Sequence, residues 1–191
     1  MIPVGLIALT CLAAPGELST VHAHRWAAEV ELVQPFIPTV HIVRARLTWT
    51  AWGEAAGLRG DLVGGLYIRP HVPHDVVETI DEYLLIAGYR QYLWRGLHAE
   101  ALLNGGVAWG TNLVDGKDYT TPSLFLDLNV GYRFGFYEPG GFFYRPGEDA
   151  VGFYFAPQFG ALVGLGVADI GPRNGKPDVF VQGTLLAGVS F

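Results

Sequence analysis

The chain has 191 residues, half of them hydrophobic, with 13% aromatic and 16% charged side chains and a net charge of −6. That length holds one domain, and the acidic balance argues against a nucleic-acid partner, which calls for a basic stripe. A single cysteine, Cys11, excludes an intrachain disulfide framework and a cysteine-based metal site, and with no apolar run of about 18 residues a helical membrane span is disfavoured.

The first stretch, Ile2 to Ala14, is apolar and is followed by Pro15-Gly16 and then the small-residue segment Val21-His22-Ala23. This is the shape of a secretory signal peptide over 1–23, leaving 24–191 as the folded domain. No Lys or Arg precedes the apolar run, a departure from the usual n-region. Two other readings stand beside it: a lipid anchor on Cys11, for which Ala8-Leu9-Thr10 is a poor lipobox, and a buried N-terminal helix.

From Trp26 onward, residues of opposite character alternate with a period of two, which puts apolar and polar side chains on opposite faces of a strand. Trp26, Ala28, Val30 and Leu32 alternate with Glu29 and Glu31 until Pro35 and Pro38 break the ladder. Val43 to Ala51 sets Arg44 and Arg46 against valine, leucine and tryptophan. Gly53 to Gly60 reads as a turn, and Asp61 to Arg69 as the third strand. Ile80 to Trp94 carries Glu82 and Arg90 on its polar side, with Gln91 an exception on the apolar side. Arg95-Gly96 is the tightest reversal, and Leu97 to Trp109 follows with His98 and Glu100 inward of its apolar face. Thr111 to Pro122 reads as a polar loop. Ser123 to Phe136 is the longest clean dyad, with Asp127, Asn129 and Arg133 opposite seven apolar residues at alternate positions. The segment 137–151 reads as a long turn or a short extra hairpin. Phe153 to Val167 and Val179 to Phe191 complete the set, separated by a Gly/Pro/Asn loop.

About eight strands joined in sequence, with both ends on one side, describe an all-β, antiparallel up-and-down barrel. One face holds Glu29, Glu31, Arg44, Arg46, Asp61, Arg69, Glu82, Arg90, Glu100, Asp127 and Arg133, while the other is nearly free of charge. A soluble, lipocalin-like barrel would have to fill its interior with the apolar face, including its large aromatics. A transmembrane barrel turns that face to lipid and lets the charges pair in the lumen, and this is the arrangement expected here. The short Arg95-Gly96 turn is then periplasmic, and the connections at 34–39, 70–79, 110–122 and 169–178 are external.

The exported N-terminus, the dyads over 26–191 and the last strand ending in Phe191 together resemble the small outer-membrane β-barrels of Gram-negative bacteria, of the OmpA, OmpX and OmpW type. The resemblance implies outer-membrane localisation, a monomer in outer-membrane lipid, and Phe191 as the assembly signal read by the barrel-assembly machinery. The lipid A deacylase of that membrane has a His-Ser pair near its C-terminal strands, whereas no His follows His98 here. Omptin-type proteases use longer, ten-stranded barrels.

The expected function is a non-enzymatic barrel without cofactor or metal, its polar lumen packed with salt bridges, which anchors in the membrane or binds partners through its external loops. Arg133 with Asp127, and Arg90 with Glu82 or Glu100, are the expected pairs. The alternative is a small pore or transporter for a small or apolar solute, suggested by Gly160, Gly164 and Gly166, which would face inward and leave space. A membrane-embedded hydrolase is a third reading. His71, His74, Asp75 and Glu78, with Asp115 and Asp118 of a neighbouring loop, offer metal-ligand types, and Ser123 or Thr121 offers a nucleophile. A plain solvated loop accounts for the same residues.

Overall fold

The computed structural model describes residues 25–38, 40–53, 58–72, 80–137, 142, 151–166 and 179–191. The expected signal peptide lies outside the described residues, as do His74, Asp75 and Glu78. No helix among the described residues is long and apolar enough to cross a membrane.

The dyads become strands β1 (Trp26–Glu31), β2 (Val43–Gly53), β3 (Arg59–Val72), β4 (Ile80–Trp94), β5 (Leu97–Thr111) and β6 (Asp118–Tyr132). A break at Arg133 separates β6 from the short β7 (Phe134–Phe136), and β8 (Gly152–Gly166) and β9 (Val179–Ser190) end the chain. Each strand pairs antiparallel with its sequence neighbour. β1 also pairs with β9, and β8 with both β6 and β7, so the sheet closes into an eight-stranded barrel in which β7 prolongs β6. The β1–β9 and β6–β8 pairings thus close the sheet on itself, the arrangement that removes sheet edges.

The expected faces follow directly from the pleat. On β6, Ser123, Phe125, Asp127, Asn129 and Gly131 are buried inside the barrel, while Leu128 and Val130 are exposed outside. Two boundaries differ from expectation. β6 begins at Asp118 rather than Ser123, because Asp118 to Pro122 pair with Thr111 to Val107. Among the described residues the pairing of β6 to β8 starts at Leu124, and Pro122 has a ladder partner only in β5, at Val107, the kind of position at which a missing donor is tolerated. β3 begins at Arg59, inside the stretch read as a turn. In 137–151, Phe142 bridges Phe136, and Tyr137 donates its amide to the Phe142 carbonyl at 2.9 Å.

The two ends of the barrel differ. At one, the Trp26 and Phe191 backbones exchange hydrogen bonds of 3.2 and 2.9 Å, and the Arg95-Gly96 turn between β4 and β5 lies at the same end. At the other, the loop end, β1 gives way to a 3-10 turn, β3 stops at Val72 and β4 starts at Ile80, residues 112–117 join β5 to β6, and β8 stops at Gly166, so the strand ends that the turn lengths put on one side lie together. β1 is much shorter than its neighbours. Past Glu31 the chain leaves the wall, makes a 3-10 turn at Gln34–Phe36 and packs Val40 and Ile42 into the barrel before β2 begins.

Tight curvature demands close backbone approach at chosen points. A Cβ on Gly160 would collide with the Leu128 carbonyl and the Asn129 side chain of β6. Gly160 thus lets strands crowd together and does not leave space, which corrects the expectation of a glycine-lined opening there. Gly183 of β9 has nothing near the equivalent position. We expect Gly160→Ala to lower the urea midpoint of the refolded protein, at a cost of about 1–3 kcal/mol from overpacking. Gly183→Ala should stay within about 0.5 kcal/mol. Equal midpoints for the two variants would show that the β6–β8 approach tolerates a methyl group.

Candidate functional site: the lumen and its outer mouth

The pleat delivers all eleven charged residues of the polar face to the lumen, where Arg69 is half-buried and the others are buried. An eight-stranded barrel has an interior about wide enough for side chains alone, so partners are chosen across the diameter as well as along the wall. At the centre lies a neutral four-residue cluster. Arg90 presents its two terminal nitrogens to the two carboxylate oxygens of Glu29 at 2.6 and 2.9 Å, and its Nε to Glu100 at 2.8 Å. Arg46 lies between the same two acids, 3.0 Å from Glu29 and 2.8 Å from Glu100. The fork geometry of guanidinium suits such bidentate contacts.

Around it are smaller groups. Arg44 pairs with Asp127 at 3.1 Å, and Asp127 also accepts from Asn129 and Gln182. Arg69 pairs with Glu82 at 3.4 Å, and Ser123 donates to the same carboxylate at 3.0 Å. Arg59 pairs with Asp61 at 3.1 Å. Glu31 is served by uncharged donors, the backbone amides of Val33 and Leu185 and the Thr184 hydroxyl.

Of the expected pairings, Arg90 with Glu100 holds, and Arg133 with Asp127 is corrected. Arg90 takes Glu100 and Glu29 and leaves Glu82 to Arg69. Asp127 is held by Arg44, while the Arg133 guanidinium lies 3.5 Å over the Tyr154 ring and donates to the Tyr92 hydroxyl at 3.3 Å. Tyr154 in turn donates to Glu29 at 2.7 Å, which joins this aromatic floor to the central cluster. His98 completes the floor. Its Nδ1 faces the Gly96 carbonyl at 3.0 Å and its Nε2 faces the Gln158 amide at 2.9 Å.

The lumen is also less polar than expected. Val63, Tyr67, Leu84, Ile86, Leu102 and Phe125 form a buried apolar cluster on the wall from β3 to β6, and Ile42 joins it, with Val40 and Leu162 packed against it. Alternation places Val63, Tyr67 and Leu84 on this face. Their clustering depends on the cross-strand register, which pairs Tyr67 with Leu84. Sequence pattern misses Arg59 because its neighbourhood reads as a turn. It misses Asp81 because that residue lies one position from Glu82 on a strand where alternation would place only one of them inward.

At the outer mouth, His71 meets Asp81 and neither Asp115 nor Asp118. Its Nδ1 is 2.8 Å from the Asp81 carboxylate, which also accepts the His71 backbone amide at 3.1 Å. Asp115 is engaged within its own loop by the Tyr119 hydroxyl and the Lys117 amide, and these two donors hold its carboxyl below the ordinary range. Asp118 accepts from Thr111. No group of three metal-ligand side chains converges among the described residues. Ser123 is bonded to Glu82 and Thr121 to the Pro122 carbonyl, so the suggested nucleophiles and His71 do not form a constellation. Phe191, the expected assembly signal, is exposed at the rim where β1 begins and β9 ends. No protein-family model, curated protein or solved structure matches the chain.

Removing one member of the central cluster leaves opposite charges buried without their partner. We expect Arg90→Met to destabilise the refolded barrel by about 3–5 kcal/mol, and the double change Arg90→Met with Glu100→Gln, which leaves Arg46 paired with Glu29, to recover a large part of that loss. Urea titrations of the variants check this, and the idea fails if Arg90→Met unfolds at the midpoint of the unaltered protein.

Proposed function

We propose that this chain is a non-enzymatic outer-membrane β-barrel of the small Gram-negative type, a monomer that anchors in lipid by its outer face and meets partners through the four connections at its loop end. One observation carries the reading: the outward residues are apolar around the whole circumference. Val30, Leu47, Leu66, Leu85, Leu103, Leu128, Phe159 and Val181 are all exposed, one on each of the eight wall strands. An exposed apolar belt of this extent has no place on a monomer in water, and lipid accepts it without cost. The closed ladder meets the second demand of a bilayer, that backbone groups be satisfied internally.

Aromatic residues mark the two rims. Trp26 packs near Trp49, with ring centroids 6.3 Å apart, and Trp94 and Phe191 lie at the same end. Tyr83 stacks on Trp109 at 4.8 Å towards the loop end. Such girdles suit the two interfaces of a membrane. Gln91, the polar exception outside, is satisfied by the Tyr89 hydroxyl and by the Arg59 and Tyr92 carbonyls, beside a Trp52 that donates to Tyr89 at 2.8 Å. The central ion cluster fills the cross-section where a water-filled pore would run, which favours the anchor over the conducting alternative.

All five tryptophans, Trp26, Trp49, Trp52, Trp94 and Trp109, are exposed on the outside. In vesicles whose acyl chains carry bromine, their fluorescence should be strongly quenched, while aqueous iodide has little effect. Iodide quenching in the presence of an unaffected bromolipid signal would place the protein in water. For the assembly signal, deletion of Phe191 should lower outer-membrane insertion in cells yet leave refolding in detergent nearly intact. The residue sits on the rim and contributes at most about 1.5–3 kcal/mol if fully buried. Unchanged membrane levels on fractionation would remove the assembly role.

A further inference from the structure

We propose that the loop-end half of the lumen is a binding site for a single-chain amphiphile, an apolar chain with one hydroxyl or carboxyl head, seated where Val40 and Ile42 now pack. The proposal rests on the membrane reading only for the route of entry.

The first observation is the apolar wall itself. In a lumen otherwise filled by paired ions, Val63, Tyr67, Leu84, Ile86, Leu102 and Phe125 form one contiguous surface. The second is Asn104. It lies on β5 opposite Ile86 of β4 and Phe125 of β6, both members of that surface, and it is buried to 1% exposure. Neither its Oδ1 nor its Nδ2 has a hydrogen-bond partner among the described residues. A carboxamide buried without partners carries a desolvation penalty with nothing to offset it, and such groups in folded proteins call for a reason. A hydroxyl head answers both atoms at once, accepting from Nδ2 and donating to Oδ1, and a carboxylic acid does the same.

The third observation is how the site is covered. Residues 179–184 of β9 have a ladder partner only in β8 among the described residues, because β1 pairs with β9 no further than Glu31 opposite Leu186. The missing stretch of wall is replaced by the 32–42 connection, and side chains stitch it down. Gln34 donates to Gln182 at 3.0 Å, Arg44 reaches the same oxygen at 3.3 Å, and Thr184 donates to Glu31. Replacing Val40 and Ile42 by a ligand chain breaks none of the strand ladder, and it exchanges one set of apolar contacts for another. The apolar exterior of that stretch, with Val179, Phe180 and Val181 exposed, offers a chain a continuous path from outside to the seam.

The test uses the full chain, isotope-labelled and refolded in amphipol, titrated with 1-dodecanol and separately with dodecane. Dodecanol should shift the Asn104 side-chain amide signals saturably and give nuclear Overhauser contacts from its chain to Leu102 and Phe125. Dodecane should bind about threefold to tenfold more weakly, the value of one hydrogen-bonded head. Asn104→Leu should abolish that preference. The double change Val40→Ala with Ile42→Ala should tighten dodecanol binding, which a purely structural role for these side chains does not predict. Shifts confined to outward residues such as Leu128 and Phe159, without contacts to Leu102 or Phe125, overturn the proposal. So does an alanine pair that leaves the affinity unchanged. Quenching by bromolipid reads membrane embedding separately, so failure of one reading is distinguishable from failure of the other.

Discussion

The constraint on which the rest depends is closure of eight strands around a space no wider than side chains. Once β1 meets β9 and β6 meets β8, the inward charged residues other than Arg69 are out of water. An isolated buried charge costs several kcal/mol, so the inward arginines and carboxylates are held by one another or, as at Glu31 and Arg133, by neutral partners. The Arg90 fork on Glu29, braced by Glu100 and Arg46, is the densest result. The Tyr154 hydroxyl and the Arg133 guanidinium extend it to the floor of the barrel. Such a network contributes less to net stability than to choosing one register, since any slip would separate charges that cannot be left alone.

The lumen divides into two regions of different chemistry. Towards the chain ends it is ionic and aromatic, with Arg59 over Tyr92 and His98 bonded at both ring nitrogens. Along the wall from β3 to β6 it is apolar. The short β1 explains the asymmetry of the cover: with its ladder ending at Glu31, the chain is free to fold Val40 and Ile42 inward, and the carboxylate of Glu31 fastens the departure by accepting the amide of Val33. A full-length β1 would have left Val40 and Ile42 on the wall.

The outer face follows the opposite rule: it is apolar, and its polar exception is satisfied locally. Gln91 shows how strict this is. Its amide bonds to two carbonyls of its own neighbourhood and its oxygen to Tyr89, so an apparently misplaced polar residue presents little unsatisfied polarity to its surroundings. Its position near the rim with Trp52 is where an amphipathic cluster belongs at an interface.

Much of the architecture is legible in the order of the amino acids. Alternation assigns a side of the sheet to each residue because a strand turns its side chains over every residue, and Leu128 beside Asn129 or Leu85 beside Ile86 needs nothing more than that rule. Short connections between successive strands make sequence neighbours pair, so the meander follows from the turns. What the sequence by itself does not determine is which inward residue meets which. Arg44 reaches Asp127 across 83 positions and Arg90 reaches Glu29 across 61. Those meetings depend on the tilt and stagger of the closed barrel, quantities that belong to all eight strands together. The same holds for Arg59, drawn into β3 from an apparent turn, for Gly160, whose lack of a side chain serves strand approach, and for Asn104. Local pattern says only that these residues face inward. The tertiary structure decides what they face, because a contact across a lumen is set by the closure of the ring and not by any stretch of chain within it.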